Sequence, residues 1–358
     1  MICNSFFKVD NQYVGEGFPT YFIADIAANH DGSLNRAVDL IHEAAEAGAN
    51  AAKFQHFTAH TIVSDYGFKS VNFGKSHQSD WGDSVYQVYA RASIGLEWTQ
   101  TLREECKKAG ITFFTSPYSM DLVDALNDYV PAYKIGSGDI TWHEIIDYIA
   151  KKNKPVILAT GASSMEDVKS ALDVLSTSCR DIALLQCNTN YTASLENFKY
   201  IQLNVLLTYK AMYPNMVLGL SDHTIGHSTV LGAVALGAKI IEKHFTDDNK
   251  RKGPDHMFAM NPVSWREMVD RTRELEQALG DGIKKVEENE IETVMLQRRA
   301  IRLKKDIKMG DVITKDAIEM LRPCPPDALT PNHIKVILGK KTKINKIAGD
   351  YLKIIDIE

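Results

Sequence analysis

From residue 21 to about residue 280, short β-branched apolar runs alternate with longer segments of helical period, and this alternation does most to limit the possible folds. Eight strand candidates can be counted: YFIADIA (21–27), AAKFQ (51–55), ITFFTS (111–116), AYKIGS (132–137), PVILATG (155–161), IALLQCN (182–188), VLGLSDH (217–223) and AKIIEKHF (238–245). Helical stretches such as LNRAVDLIHEAAEAG, EWTQTLREECKKAG and MEDVKSALDVLS lie between them, and WREMVDRTRELEQALG follows the last. Eight strand-then-helix units predict an α/β fold, a (β/α)8 TIM barrel. An open doubly wound sheet would also alternate, but would gather its ligands at one switch point.

A barrel of about 250 residues does not use up a chain of 358. After the charged stretch Lys284 to Glu292 the texture changes to short strands punctuated by Gly310, Gly339 and Gly349 and by Pro323, Pro325, Pro326 and Pro331. The expected division is a catalytic barrel over 1–280, a linker helix or strap over 281–297, and a compact loop-rich β module over 298–358. Net charge is 41 − 46 = −5 without a Lys/Arg-rich run, which argues against nucleic acid or an anionic membrane as partner. Five scattered cysteines lack CxxC spacing and read as reduced thiols. With no signal-like N-terminus and no run of about eighteen apolar residues, a cytoplasmic protein is expected.

Polar residues fall at or near the C-terminal strand ends: Asp25, Lys53, Gln55, Thr115, Lys134, Thr160, Gln186, Ser221, His223, Glu242 and His244. In a barrel that face carries the active site. Lys53 and Lys134 lie in strands, where a buried ammonium is costly without an anion, so a phosphate between them is expected, with Thr115, Ser137 and Ser221 as hydroxyl donors. The alternative is two separate salt-bridged lysines. His223 and His244, at the ends of successive strands, can hold one divalent metal; neutral imidazoles suit manganese, zinc or iron and leave positions for water and a substrate oxygen. Glu242 shares its side of the strand with His244 by period two and is a proton-handling candidate. Asp25 and Asp139 could bind sugar hydroxyls or the hydrated metal, although Asp139 could instead cap a helix starting near Thr141. His30, in NHDG, is either a supporting group or a loop residue.

Taken in order, IADIAANHDGS, AAKFQ, FFTSP, AYKIGSGD, ILATGAS, GLSDHT, LGAVALGA, IEKHFTDD, GPDH and RRAIRLKKDIKMGDVITKDAIEMLRP resemble the sialic acid synthase family over nearly the whole chain. That family makes nonulosonic acids from phosphoenolpyruvate and an N-acylated hexosamine, and ends in an antifreeze-like (SAF) module. The resemblance implies that Lys53, Thr115, Lys134, Ser137 and Ser221 hold phosphoenolpyruvate. It implies that His223 and His244 hold a divalent metal, manganese foremost, with magnesium or cobalt as alternatives. Gln55, Tyr191 and Asp255 then contact the sugar, Asp25, Glu242 and Asp139 do the acid and base work, and Arg322 reaches the partner's barrel in a domain-swapped homodimer.

The expected reaction joins phosphoenolpyruvate to an N-acyl-mannosamine-type aldose with C–O cleavage and phosphate release. A 2,4-diacetamido-trideoxyhexose on the legionaminic or pseudaminic route is the alternative acceptor. Rivals are an aldolase using Lys134 as a Schiff base and a non-catalytic barrel presenting its SAF module to carbohydrate or ice. Two departures from the family pattern stand out. Asp25 and Asp139 occupy positions where glutamate is common, withdrawing each carboxylate by roughly 1.5 Å, and QCNTNYTAS lacks the usual proline after Tyr191. The segment 56–91 is long for a βα loop and is a candidate lid.

Overall fold

The computed structural model describes residues 3–70 and 83–358. Two compact units are present, Met1–Gly280 and Asp281–Glu358. The first opens with an antiparallel hairpin, β1 (Phe6–Val9) and β2 (Gln12–Gly15). Eight parallel strands follow: β3 (Tyr21–Asp25), β4 (Ala51–His56), β5 (Thr112–Pro117), β6 (Tyr133–Ile135), β7 (Val156–Ala159), β8 (Ile182–Cys187), β9 (Val217–Asp222) and β10 (Ile240–His244). Their order, β5-β4-β3-β10-β9-β8-β7-β6, sets β5 beside β6 at a seam, and the sheet curls into a nearly closed TIM-like barrel.

Toward their N-terminal ends the strands are apolar on both faces, as in a sheet enclosed by helices, and polar residues such as Lys53, Asp222 and Glu242 enter toward the C-terminal ends. Outward side chains meet the helices in one continuous core that includes Phe22, Phe54, Phe113, Leu184, Ile241 and Trp265. Inward side chains form a second core, with Tyr21, Ile23, Ala51, Phe114, Ile157, Leu185 and Ile240 closed from below by Phe7, Val9 and Val14 of the hairpin. The hairpin therefore plugs the N-terminal mouth and leaves the C-terminal mouth for chemistry.

Local sequence sets where the helices begin. Ser33 accepts from the Arg36 N–H ahead of Leu34–Glu46, and Ser164 with Asp167 forms a capping box on Met165–Leu175. Asn261 caps Pro262–Leu279 with proline at its first turn. The expected lid segment 56–91 falls partly outside the described residues, at 71–82. Its described parts carry the short helices Ala59–Ile62 and Asp65–Ser70 and the start of Val85–Ala92.

In the second unit, β11 (Ala300–Leu303) pairs antiparallel with β12 (Ile318–Leu321). Ile301, Leu303, Ile307, Ile313, Ile318, Leu329, Ile337 and Leu352 form its own small core. Residues 281–297 belong to this unit, and their helix Ile291–Gln297 is tied to it by the Cys324 N–H donating to Met295 O at 2.8 Å.

Candidate active site

Strand register decides which side chains enter the barrel. Partners across parallel strands share a face, so the ladders His244–Asp25–Lys53–Phe114 and Glu242–Ser221 all point inward. Above the interior core they open into a cavity of about 400 Å3 lined by, among others, Asp25, Lys53, Gln55, Tyr118, Lys134, Ser137, Asp139, Tyr191, Ser221, His223, Glu242, His244 and Asp255. Of the fourteen residues to which the family resemblance gives a role, twelve line this one cavity.

The floor is charged and buried. Lys53 and Lys134 are each 3 % exposed. Lys53 Nζ lies 2.6 Å from Asp25 Oδ2 and 3.4 Å from Glu242 Oε1, and Lys134 Nζ lies 3.4 Å from the same Glu242 oxygen. Burial alone would neutralise Glu242, but the Lys134 and Lys53 charges overcome it and bring its carboxyl down to about 2. Lys53 is held above the ordinary lysine value by Asp25 and Glu242 against its burial, whereas burial pulls Lys134 below it. Two ammonium groups bridged by one carboxylate form a cradle that an anionic ligand can enter by displacing Glu242's share of the pairing. Ser221 donates its hydroxyl to Glu242 Oε1 at 3.2 Å, and Ser137 Oγ accepts from the Gly161 N–H at 2.8 Å.

Beside the cradle, the rings of His223 and His244 are 5.3 Å apart. His223 Nδ1 donates to Asn188 O at 2.8 Å, which fixes the tautomer and leaves Nε2 as a lone-pair donor. His244 Nδ1 is buried without a hydrogen-bond partner among the described residues, 3.7 Å from Asp255 Oδ2. Burial, reinforced by nearby positive charge, holds both imidazoles at about 3, so both are neutral and able to ligate. Among the described residues no group of three or more His, Cys, Asp or Glu could hold a metal ion. Two imidazole donors by themselves would leave the remaining positions of any bound ion to water or substrate oxygens. Tyr191 packs edge-on to His223 at 4.4 Å and Phe258 to His244 at 4.9 Å, restricting the rings.

Thr115 departs from the expected ring. It lies between the inward residues Phe114 and Ser116, so it faces the helices, bonded to His56 Nδ1 at 2.7 Å and to Phe54 O at 3.2 Å. Thr160 and Gln186 also point outward, to Tyr209 and to Ile201 O. Ser116 shares the inward register with Gln55 and its buried hydroxyl has no partner among the described residues. Asp139 does not cap the helix His143–Ala150, whose N-cap position is Trp142. His30 is buried, edge-on to Trp98, and accepts from the Gly32 N–H, a loop-supporting role outside the cavity lining. Arg322 lies exposed in the C-terminal unit. Sequence reading missed Tyr118, Cys187 and the apolar wall of Phe57, Ile62 and Val88, all part of the cavity lining.

Asp255 accepts the Ala28 N–H at 3.3 Å, and burial pushes its carboxyl up to about 7. Its loop is braced behind the site: His256, fully buried, bonds Thr246 at 2.7 Å and Asp31 at 3.0 Å, and Arg36 forks onto Asp247 with two contacts of 2.6 Å. On the outer face of the same strand ends, Lys243 Nζ reaches Asp222 Oδ2 at 2.5 Å and Thr224 O at 2.6 Å, tying the turn after His223 to the strand that carries His244.

A buried cradle of two lysines beside two neutral histidines thus sits at the C-terminal mouth of a (β/α)8 barrel, the face that carries the active site in enzymes of this class. The NeuB family pattern matches residues 40–284 and the SAF domain pattern matches residues 298–358, so the chain belongs to the NeuB family of sialic and related nonulosonic acid synthases and carries a C-terminal SAF domain. It is 34 % identical over 325 residues to the N,N'-diacetyllegionaminic acid synthase of Campylobacter jejuni, covering 90 % of this chain and 95 % of the relative. It is 31 % identical to the pseudaminic acid synthase of the same species, covering 93 % and 95 %. A solved N-acetylneuraminic acid synthetase from Leptospira borgpetersenii, crystallised with citrate, is 28 % identical with a TM-score of 0.71, covering 82 % of this chain and 96 % of that one. The protein is an enzyme of the transferase class.

Proposed function

We propose that this enzyme condenses phosphoenolpyruvate with the open-chain form of an N-acylated aldose, and the observation that carries the reading is the Lys53–Glu242–Lys134 cradle set against the two neutral histidines. Lys53 and Lys134 bind the phosphate and carboxylate, with Ser137 and Ser221 as hydroxyl partners. The enol carbon C3 attacks the aldehyde carbon, forming the new C–C bond, and the aldehyde oxygen is protonated. Water adds at C2, and Glu242, ionised and with Oε2 unpartnered among the described residues, takes its proton. Collapse breaks the C2–O bond and releases phosphate. Asp25 holds Lys53 in place, and Gln55, Tyr191, Asp139 and Asp255 face the acceptor. His223 and His244 hold a divalent ion, manganese foremost with magnesium or cobalt as alternatives, which would stabilise negative charge developing on the aldehyde oxygen.

Both an N-acyl-mannosamine and a 2,4-diacetamido-trideoxyhexose fit this chemistry. The second is favoured by the relatives of higher identity, named for legionaminic and pseudaminic acids, and by the apolar wall of Phe57, Ile62 and Val88, which suits acetamido and deoxy methyl groups. The proposal extends to a domain-swapped homodimer in which Arg322 of one chain reaches the barrel of another. It also places the enzyme in the cytoplasm, a reading supported by five free cysteines. No helix among the described residues is long and apolar enough to cross a membrane.

The test is the fate of the bridging oxygen. With phosphoenolpyruvate labelled with heavy oxygen at C2, C–O cleavage sends the label into phosphate. Label retained in the sugar acid, or a product formed without phosphate release, contradicts the mechanism.

A further inference from the structure

Tyr118 is placed directly after β5, where its N–H donates to His56 O at 3.1 Å and its ring stands edge-on to Phe57 at 5.9 Å. Backbone and ring are thus fixed, and the residue lines the cavity. Its hydroxyl makes no hydrogen bond among the described residues, although it sits in a polar part of the site. A phenol fixed this way, open to the cavity and without a protein partner among the described residues, is free to donate to a bound ligand.

Two neighbours sharpen the reading. Gly136 lies beneath the hydroxyl: a Cβ there would come within 3.2 Å of Tyr118 Oη. The φ of Gly136 is −69°, open to any residue, so its bare Cα serves space rather than backbone conformation. The short carboxylates on either side are differently engaged. Asp25 spends Oδ2 on Lys53 and Gln55 and Oδ1 on the Ala27 N–H, while the Asp139 side chain makes no hydrogen bond among the described residues. Burial, with the charges of Asp139 and Asp25, holds the Tyr118 phenol well above its ordinary value, so it is a donor throughout the physiological range.

We propose that Tyr118 is a specificity-determining residue of the acceptor site, its hydroxyl donating a hydrogen bond to a hydroxyl or acetamido oxygen of the aldose in the space that the short side chains of Asp25 and Asp139 leave open. The inference rests on the synthase reading above and assigns one contact within it. A hydroxyl donor favours acceptors that carry an oxygen at that point over those that lack one, because only the former replace the hydrogen bond to water that the phenol gives up when the sugar closes over it.

Tyr118→Phe removes only Oη and keeps the ring contact with Phe57. Steady-state kinetics would be run on wild type and variant with phosphoenolpyruvate and, separately, N-acetylmannosamine and a 2,4-diacetamido-2,4,6-trideoxyhexose. The expected result is a KM for the accepted sugar raised about ten-fold or more, a KM for phosphoenolpyruvate unchanged, and an unchanged melting temperature, since no bond within the protein is lost. Kinetics indistinguishable from wild type, or a rise confined to the KM for phosphoenolpyruvate, overturns the assignment. A wild type that turns over neither sugar overturns the synthase reading itself, and Tyr118's role with it.

Discussion

At the residue scale, charge and burial separate the carboxylates by task. Glu242 is held ionised by two lysines at 3.4 Å, whereas Asp139 has no such neighbour and burial pushes it up to about 6 against the pull of Lys134. A carboxyl raised in the folded state binds its proton more tightly there than in the unfolded chain. Its stabilising contribution is therefore complete below the unfolded value, near pH 4, and is lost as pH rises through about 6. Asn at this position has nothing to ionise. The melting temperature of Asp139→Asn relative to wild type should climb between pH 4 and pH 6 and level off above; a difference that stays flat would mean that Asp139 titrates as an exposed carboxylate. The histidine pair makes a second prediction. His244→Ala and His223→Ala should each fold and lose tight manganese binding, measured by paramagnetic resonance of the free ion, by a factor of about ten or more. Undiminished binding in both would place the metal elsewhere.

At the scale of the element, the unit of function is the pair β9 and β10. By period two they present Ser221, His223, Glu242 and His244 to the cavity and Asp222 and Lys243 to the helices. Asp222 takes the Lys243 ammonium, both threonine hydroxyls of Thr224 and Thr229, and the Thr224 N–H. Breaking so buried a pair is severe, while replacing both partners is tolerated. Lys243→Met should cost about 3–5 kcal/mol in urea unfolding, and the double variant Asp222→Leu with Lys243→Met should recover only part of it, because the Thr224 N–H and the two threonine hydroxyls then lose their acceptor. A single variant as stable as wild type would contradict the role given to the pair.

The same periodicity explains what could be read in advance. The lysines, histidines and Glu242 were legible because a charged residue in an apolar strand end has few reasons to be there, and the neighbouring motifs fixed their spacing. Thr115 was not: ITFFTS is apolar on both faces, so its own pattern offers no side, and only pairing of Lys53 with Phe114 and Gln55 with Ser116 sends Thr115 outward and Ser116 inward. Tyr118 and Cys187 escaped because an aromatic or a thiol at a strand end reads as core. The hairpin β1–β2 went unseen since Phe7, Val9 and Val14 acquire their meaning only by filling the barrel's lower mouth.

At the scale of the whole molecule, the chain joins a complete barrel to a small β unit with its own core. The proposed exchange of Arg322 between chains can be tested by mixing two inactive variants. Refolding His244→Ala together with Arg322→Ala should restore about a quarter of the wild-type activity, because half the dimers are mixed and each regains one complete site. Activity that stays absent on mixing would assign Arg322 to its own chain's site, and an Arg322→Ala variant as active as wild type would assign it to none.

The proposed consumption of phosphoenolpyruvate is tested by phosphate release with manganese across a panel of N-acetylmannosamine, 2,4-diacetamido-trideoxyhexoses and an unacylated aldose, with and without chelator, each product identified by mass. Release with an N-acylated sugar, stopped by chelation, is expected, together with a product whose mass is that of the sugar plus phosphoenolpyruvate and water less phosphate. No release with any acceptor, from a folded protein shown to bind manganese, would contradict it.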